Sequence, residues 1–169
     1  MPRKQCCVDA IWIASGGAEI VQRREFSRIA LMAIGIASLA GVARAAGKTH
    51  DVRMWSDGGL KYYMPDFLRV EIGDTVRFVN KSGHHNTESV PGMIPESAQP
   101  WFSEIDETFE LVIEHEGVYG YKCTPHYEKG MVGLIVAGDA GVNLAAAEAV
   151  ETPEQAHAMF ARLFKKLKT

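Results

Sequence analysis

Alternating apolar and polar residues mark several short strands beyond residue 48. Residues 68–72 alternate in this way, as expected of a strand with one buried face. Gly73-Asp74 then provides a turn into residues 75–80, where Val76 and Phe78 share one face. The other predicted strands are 49–55, 108–114, 118–123 and 132–137. Short strands at regular spacing, separated by turn residues, predict a mainly β fold of the sandwich type.

The end of the chain changes to a helical pattern. Thr152 is predicted as an N-cap, Pro153 as the first helical residue, and Gln155 as the partner that completes a capping box. One apolar stripe follows, formed by Ala156, Phe160, Leu163 and Leu167. Upstream, Asn143 is predicted to cap a short helix that ends near Val150. We expect a sandwich over 46–138, covered by two helices over 141–168; the alternative is a basic tail that touches a membrane.

Residues 22–45 have the pattern of an export signal. Arg23-Arg24 precede an apolar run of about 14 residues over 29–42, and the small-residue site Ala43-Arg44-Ala45 follows. Paired arginines are typical of the bacterial twin-arginine route, and the run is short for a bilayer span. We predict a signal peptide over 22–45 and a periplasmic domain over 46–169. Residues 1–21 form an extension of undecided status, and a membrane anchor or buried helix is the alternative for the apolar run.

Removal of residues 1–45 makes the remaining chain more acidic. The whole chain has 18 Lys+Arg and 21 Asp+Glu, which gives a formal charge of −3. Residues 46–169 contain 12 Lys+Arg and 18 Asp+Glu, which gives a formal charge of −6. Nucleic-acid binding is not indicated, because it requires a basic patch. An acidic domain associates preferentially with basic partners, an effect that salt screens.

Three chemically reactive side chains lie close together near the end of the predicted strands. Cys123, His126 and Met131 fall within nine residues, and a second imidazole is available at His84 or His85. Neighbours on an extended segment point to opposite faces, and alternation alone does not choose between the two histidines. Two His, one Cys and one Met form the ligand set of a trigonal copper site with a long axial Met, and zinc sites fit this set less well.

This ligand set predicts a one-electron carrier rather than an enzyme. Cys123 is the only cysteine of residues 46–169, so no internal disulfide is possible, and metal ligation would protect the thiol from oxidation. One alternative is copper delivery or storage, which needs a labile, solvent-open Cu(I) site. The other is a Cys–His hydrolase with Cys123 as nucleophile and His126 as base, but the sequence gives no sign of the required pocket and oxyanion donors.

Three motifs resemble those of the pseudoazurins, a family of blue copper proteins with the cupredoxin fold. They are Gly-His-His-Asn-Thr-Glu-Ser at 83–89, Met-Ile-Pro-Glu at 93–96, and Cys-Thr-Pro-His-Tyr with Gly-Met over 123–131. The two C-terminal helices match that family as well. The resemblance covers residues 46–168, and it implies a cupredoxin-like Greek-key β-sandwich that holds one copper ion per chain and is a monomer.

The resemblance also implies roles for individual residues. The ligand histidine of the family directly precedes Asn, which selects His85 over His84. The implied ligand set is therefore His85, Cys123, His126 and Met131. Asn86 is expected to tie the histidine segment to the cysteine loop by hydrogen bonds. Pro125 lacks a backbone donor near the sulfur and stiffens the loop.

Electron transfer is expected through the ring edge of His126, in a periplasmic carrier that is not inserted in a membrane. Pro125, Met64 and Met93 are candidates for the apolar surround, although both methionines could instead pack in the core. The implied partner is a nitrite reductase, a nitrous-oxide reductase, a c-type cytochrome or a dehydrogenase, with a role in denitrification among the options. The family surrounds this port with lysines, whereas the site-bearing segments here carry Glu88, Glu96 and Glu128 beside Lys81 and Lys129. The sign of the docking surface therefore stays open.

Overall fold

The computed structural model describes residues 47–169, so the predicted extension 1–21 and signal 22–45 lie outside the described residues. The described part contains eight strands and two α-helices, as a mainly β fold with C-terminal helices requires. The strands are β1 Thr49–Asp57, β2 Leu60–Met64, β3 Phe67–Val70, β4 Thr75–Asn80, β5 Glu88–Ser89, β6 Phe109–Val112, β7 Gly117–Lys122 and β8 Val132–Ala137. The helices are α1 Leu144–Glu148 and α2 Glu154–Leu167, and 3₁₀ turns cover Thr124–Lys129 and Ala140–Val142.

The strands form two four-stranded sheets. The first has the order β2-β1-β4-β6, and the second has the order β3-β8-β7-β5. β1 runs parallel to β4, and β3 runs parallel to β8, while the other pairs are antiparallel. These crossovers between strands that are distant in sequence give the Greek-key sandwich that was predicted.

An aromatic core fills the space between the sheets. Tyr63, Phe78 and Tyr121 meet edge to face, with the ring centroids of Tyr63 and Tyr121 4.7 Å apart and those of Phe78 and Tyr121 5.0 Å apart. Such edge-to-face pairs add to the stabilisation that burial provides. Cys123 and Met131 belong to the same buried cluster. The core between the sheets therefore extends to the predicted metal site.

A second core covers the outer face of the second sheet. Alternate residues of β8 point to opposite sides, so Ile135 and Ala137 face the sandwich core, while Val132, Leu134 and Val136 pack under the helices. From α2, the buried residues are Ala156, Phe160, Leu163 and Phe164. Each large apolar side chain buried in this way stabilises the fold by about 1.5–3 kcal/mol. Burial on both faces explains why β8 is apolar throughout.

The predicted strands agree with the structure where the alternation is strong. The predictions of 75–80 and 132–137 are confirmed, and 49–55, 108–114 and 118–123 are confirmed with shifted ends. The strand predicted over 68–72 ends at Val70, because the Asp74 carboxylate accepts a hydrogen bond from Glu71 N at 3.1 Å and closes a turn. β2 and β5 were not predicted.

Both predicted helices exist, but the predicted N-cap of α2 is wrong and that of α1 is right in position only. α2 begins at Glu154, with Pro153 as the N-cap in an extended conformation, and no side chain caps the helix. Asn143 is the N-cap residue of α1, as predicted, but its side chain does not cap the helix: Oδ1 accepts from Val118 N at 2.7 Å and Nδ2 donates to Val118 O at 2.8 Å. The Asn143 side chain therefore anchors the start of α1 to β7. Within residues 47–169, neither helix is long and apolar enough to span a bilayer.

Candidate metal centre

Three of the predicted ligands meet at one end of the sandwich. Cys123 directly follows β7, His126 lies in the 3₁₀ turn after it, and His85 lies between β4 and β5. Their ligand atoms all lie within 4.8 Å of one another. Cys123 Sγ is 3.7 Å from His85 Nδ1 and 3.4 Å from His126 Nδ1. The fold thus brings a histidine from a distant segment to the cysteine loop.

The cysteine loop is closed by its own backbone. His126 N donates to Cys123 O at 3.0 Å, and Met131 N donates to His126 O at 3.1 Å. Cys123 N in turn donates to Met131 O at 3.0 Å. Gly130, with a φ of 78°, makes the left-handed turn that this closure requires, and a side chain there would be strained. Met131 is fully buried in the sandwich core, so the three predicted ligands of this loop are held in one hydrogen-bonded turn.

The two neighbouring histidines have different environments, and the cause is a backbone turn rather than the alternation of side chains along a strand. His84 is not extended: its φ is 68°, in the left-handed region. The Asp106 carboxylate stabilises this turn, because Oδ1 accepts from His84 N, 2.6 Å away. His84 is exposed and His85 is fully buried. The extended geometry assumed for the pair is wrong, yet only His85 reaches the cysteine.

The orientation of the His85 ring is set by a serine that lies 29 residues earlier in the sequence. Ser56 Oγ, in β1, lies 2.7 Å from His85 Nε2, while Nδ1 faces the Cys123 sulfur. A metal held by Nδ1 would leave the proton on Nε2, which would then donate to Ser56 Oγ. Such an outer contact fixes the tautomer and the ring plane of a ligand histidine.

Asn86 bridges the histidine segment and the cysteine loop. Its Oδ1 accepts from Thr124 N at 2.8 Å, and its Nδ2 donates to Thr124 Oγ1 at 3.0 Å and to Ser103 O at 3.2 Å. Thr124 directly follows Cys123, so the amide joins two ligand-bearing segments. Asn86 is fully buried, which makes these bonds costly to lose.

Burial shifts the protonation of all three converging groups. Burial, with His126 and Lys61 nearby, lowers the pKa of His85 to about 4. Burial also lowers the pKa of His126, and Lys61 and Lys129 lower it further. Burial raises the pKa of the Cys123 thiol, partly opposed by the backbone N–H groups of Asn86 and His126. Both imidazoles are therefore neutral near pH 7, and metal binding must release the thiol proton.

His126 is the part of the site closest to solvent. It is 9 % exposed, whereas His85, Cys123 and Met131 are fully buried. Of the residues considered for its surround, Pro125 is exposed and Met64 is 48 % exposed. Met93 does not belong to this surround: it is 1 % exposed and packs in the second core, where its sulfur would meet a Cβ at Gly120 at 2.7 Å.

Sequence reasoning missed three contributors to the site, namely Ser56, Lys61 and Asp106. Ser56 and Lys61 come from β1 and β2, and Asp106 from the loop before β6. Burial lowers the pKa of His126, and Lys61 and Lys129 lower it further. Lys81, named with Lys129 from the sequence, instead adds to the effect of Arg77, which lowers the pKa of Asp51. No local pattern marks these residues, because they reach the site only when the chain is folded.

The donor set fits a soft, borderline metal ion. In a trigonal site, bonds of about 2.0 Å to nitrogen and about 2.3 Å to sulfur, as for zinc, place the two donors about 3.7 Å apart. The Cys123 Sγ to His85 Nδ1 separation of 3.7 Å equals this value, and the separation of 3.4 Å to His126 Nδ1 is slightly shorter. Two imidazoles and one thiolate suit copper, and the described residues place no carboxylate in the cluster.

Comparison with known proteins decides the family. The model of the copper-binding proteins of the plastocyanin/azurin family matches residues 49–138. The chain belongs to this family.

Pseudoazurins are among the members of this family to which the chain is similar over most of its length. It is 40 % identical over 128 residues to a pseudoazurin of Paracoccus pantotrophus, covering 75 % of this chain and 88 % of that protein. The crystal structure of pseudoazurin from Methylobacterium extorquens AM1 matches with a TM-score of 0.68 and 33 % identity, over 71 % of this chain and 99 % of that one. The crystal structure of pseudoazurin from Hyphomicrobium denitrificans matches with a TM-score of 0.66 and 34 % identity. The match covers 70 % of this chain and 97 % of that one.

Family membership confirms three predictions. The fold is the cupredoxin sandwich, with two C-terminal helices. The cofactor is copper, and His85, Cys123 and His126 form the candidate site for it. The protein is a type 1 copper electron carrier of the plastocyanin/azurin family and not an enzyme.

Proposed function

We propose that this protein is a periplasmic one-electron carrier whose copper is held by His85, Cys123, His126 and Met131. The observation that supports the ligand set most strongly is the convergence of three buried ligand atoms within 4.8 Å. For Met131, the support is its full burial and its two backbone hydrogen bonds to Cys123 and His126.

The chain itself prepares the site for rapid electron exchange. Copper bound there supplies a couple between Cu(II) and Cu(I). Ser56 and Asn86 hold His85 and the cysteine loop in place through hydrogen bonds of 2.7 to 3.2 Å. The burial of both histidines keeps the imidazoles neutral, so their nitrogens are available as ligands. Because these groups are ordered before any electron arrives, little reorganisation accompanies the transfer.

His126 is the proposed port for the electron. It is the only one of the four proposed ligands with a side chain that reaches the surface. The exposed Pro125 lies next to it, and the loop hydrogen bonds hold its backbone. A partner that covers this ring is brought close to the metal without opening the protein.

The burial of the ligands favours a carrier over a copper-delivery or storage protein. Delivery requires a site from which copper leaves easily. Here Cys123 and His85 have no exposed surface, and Asn86 closes the loop over them. A carrier binds copper in both oxidation states and is coloured when oxidised, whereas a delivery protein holds colourless Cu(I).

Substitution of the cysteine tests the ligand set. Cys123→Ala is expected to lose the intense thiolate-to-copper absorption and the corresponding copper spin-resonance signal. His115→Ala serves as the control, since His115 lies outside the cluster and its substitution is expected to leave both signals unchanged. A Cys123→Ala protein that remains blue would show that the site is wrongly assigned.

The cellular location and the partner are proposals with different support. Export to the periplasm rests on the twin arginines and the apolar run of residues 22–45. A periplasmic redox protein is the proposed partner, and a nitrite reductase, nitrous-oxide reductase, c-type cytochrome or dehydrogenase remains a candidate. A role in denitrification would follow from either of the first two. Electron-transfer rates with each purified candidate would rank them.

A further inference from the structure

Charge is distributed unevenly along the chain, and this asymmetry reaches the metal centre. From residue 82 to residue 121 there are eight acidic residues and neither lysine nor arginine. Lys61 and Lys129, by contrast, line one surface cavity together with Gly130, at the end of the turn that carries His126. One flank of the centre is therefore basic, and another is made from an acidic stretch of chain.

The acidic flank also exposes large apolar side chains. Phe102 is 54 % exposed and Ile105 is 44 % exposed, and Glu104 and Glu107 lie between and beside them in the sequence. We call these four residues the 102–107 face. Neither glutamate has an ion-pair partner among residues 47–169. Exposed aromatic and aliphatic groups next to charges are typical of a protein-binding surface.

This face is ordered rather than a loose loop. Ser103 N donates to Thr87 O at 2.9 Å, and Ser103 Oγ accepts from Thr87 N at 3.0 Å. Glu104 N donates to the Glu107 carboxylate at 2.8 Å, which closes the turn. The segment therefore presents its apolar and acidic side chains in a fixed arrangement, so little order must be gained on binding.

The face is directly connected to a ligand-bearing segment. Asp106 N donates to His85 O at 2.8 Å, and Asn86 Nδ2 donates to Ser103 O at 3.2 Å. Because the rings of His85 and His126 are 4.9 Å apart, a protein seated on this face lies beside the same metal centre. A partner bound at this position is suitably placed for electron transfer as well as for binding.

We propose that the 102–107 face is a docking surface for a basic redox protein, with Phe102 and Ile105 as apolar anchors and Glu104 and Glu107 as charge-complementary groups. The inference rests on the proposed carrier function. The acidic charge of the face selects the occupant, because it repels an acidic partner or a second copy of this chain and attracts a positive surface.

The test is electron transfer from cytochrome c, a strongly basic haem protein, and from the same protein made acidic by succinylation of its lysines. One electron passes from ferrous cytochrome c to the oxidised copper protein, leaving ferric cytochrome c and the reduced copper protein. Stopped-flow rates are compared for wild type, Glu104→Lys, Phe102→Ser and the control Glu151→Lys across ionic strength. Glu151 is an exposed glutamate between the helices, and its substitution changes the net charge equally.

We expect Glu104→Lys to lower the rate with basic cytochrome c by about three- to tenfold at low salt, and Glu151→Lys by less than about twofold. Phe102→Ser should lower the rate several-fold and leave its salt dependence unchanged. Equal effects of the two lysine substitutions, or no effect of Glu104→Lys, would overturn the proposal. Faster transfer from the succinylated protein to wild type would also overturn it.

A binding measurement provides a readout that does not depend on electron transfer. In the reduced copper protein, amide chemical shifts of residues 102–107 should change when basic cytochrome c is added, and Phe102→Ser should weaken these changes. Changes confined to Lys61 and Lys129 would contradict the proposal, as would self-association in sedimentation that Phe102→Ser abolishes. A protein without the blue absorption would instead refute the carrier function, so the two failures are distinguishable.

Discussion

Truncation of Asn86 should destabilise the protein even when no metal is bound. Asn86→Ala removes the hydrogen bonds to Thr124 N, Thr124 Oγ1 and Ser103 O, whose lengths are 2.8, 3.0 and 3.2 Å. Each such bond contributes about 0.5–1.5 kcal/mol net, and a buried group left without a partner costs about 1–3 kcal/mol. We therefore expect the free energy of unfolding to fall by about 2–4 kcal/mol. For a domain of this size, the corresponding fall in Tm is about 8–16 °C.

The assay is denaturant and thermal unfolding of the metal-free and copper-loaded protein. Asn80→Ala is the matched control, because Asn80 makes one hydrogen bond, to Asp106 at 3.0 Å, and its own Oδ1 is buried without a partner. Asn80→Ala should lower the free energy of unfolding by about 1 kcal/mol or less. The reasoning is refuted if metal-free Asn86→Ala is no less stable than Asn80→Ala, because the bridge would then do nothing until copper binds.

The remaining predictions concern the histidine pair, acid stability and export. His85→Ala should abolish the blue absorption and His84→Ala should keep it, and the reverse result would overturn the ligand choice. The hydrogen bond from His50 lowers the pKa of Asp74 to about 2, aided by the Glu71 backbone N–H. Its stabilisation is complete above the unfolded value of about 3.9 and is lost as the pH falls towards 2. Asp74→Asn should therefore flatten the acid limb of a stability profile, and an unchanged limb would contradict this. Replacing both arginines of the 23–24 pair by lysines should retain the precursor in the cytoplasm, and normal export measured by fractionation would argue for another route.

The predictable parts of the fold are those whose signal is local. β4 and β8 were predicted because their alternation or continuous apolarity extends over six residues each. β2 was missed because it is a short edge strand in which a lysine and two adjacent tyrosines interrupt the alternation. β5 was missed because it has only two residues. Both exist because a neighbouring strand pairs with them. No property of their own sequence requires it.

The same distinction applies to the metal centre. Cys123, His126 and Met131 could be grouped from sequence because one loop carries all three. Ser56 and Asp106 could not be grouped with them, since β1 and the loop before β6 reach the site only in the folded protein. The cap predicted at Thr152 was wrong by one residue, because α2 begins at Glu154 with Pro153 as its N-cap.

The central claim is that one copper ion binds between His85, Cys123, His126 and Met131 as a type 1 centre. The most direct measurement is the combined optical and spin-resonance spectrum of the purified protein, titrated with Cu(II). The account predicts one copper per chain, an intense blue thiolate-to-copper absorption and a narrow copper hyperfine splitting. A colourless protein, or a weakly coloured one with the spectrum of ordinary tetragonal Cu(II), would contradict it.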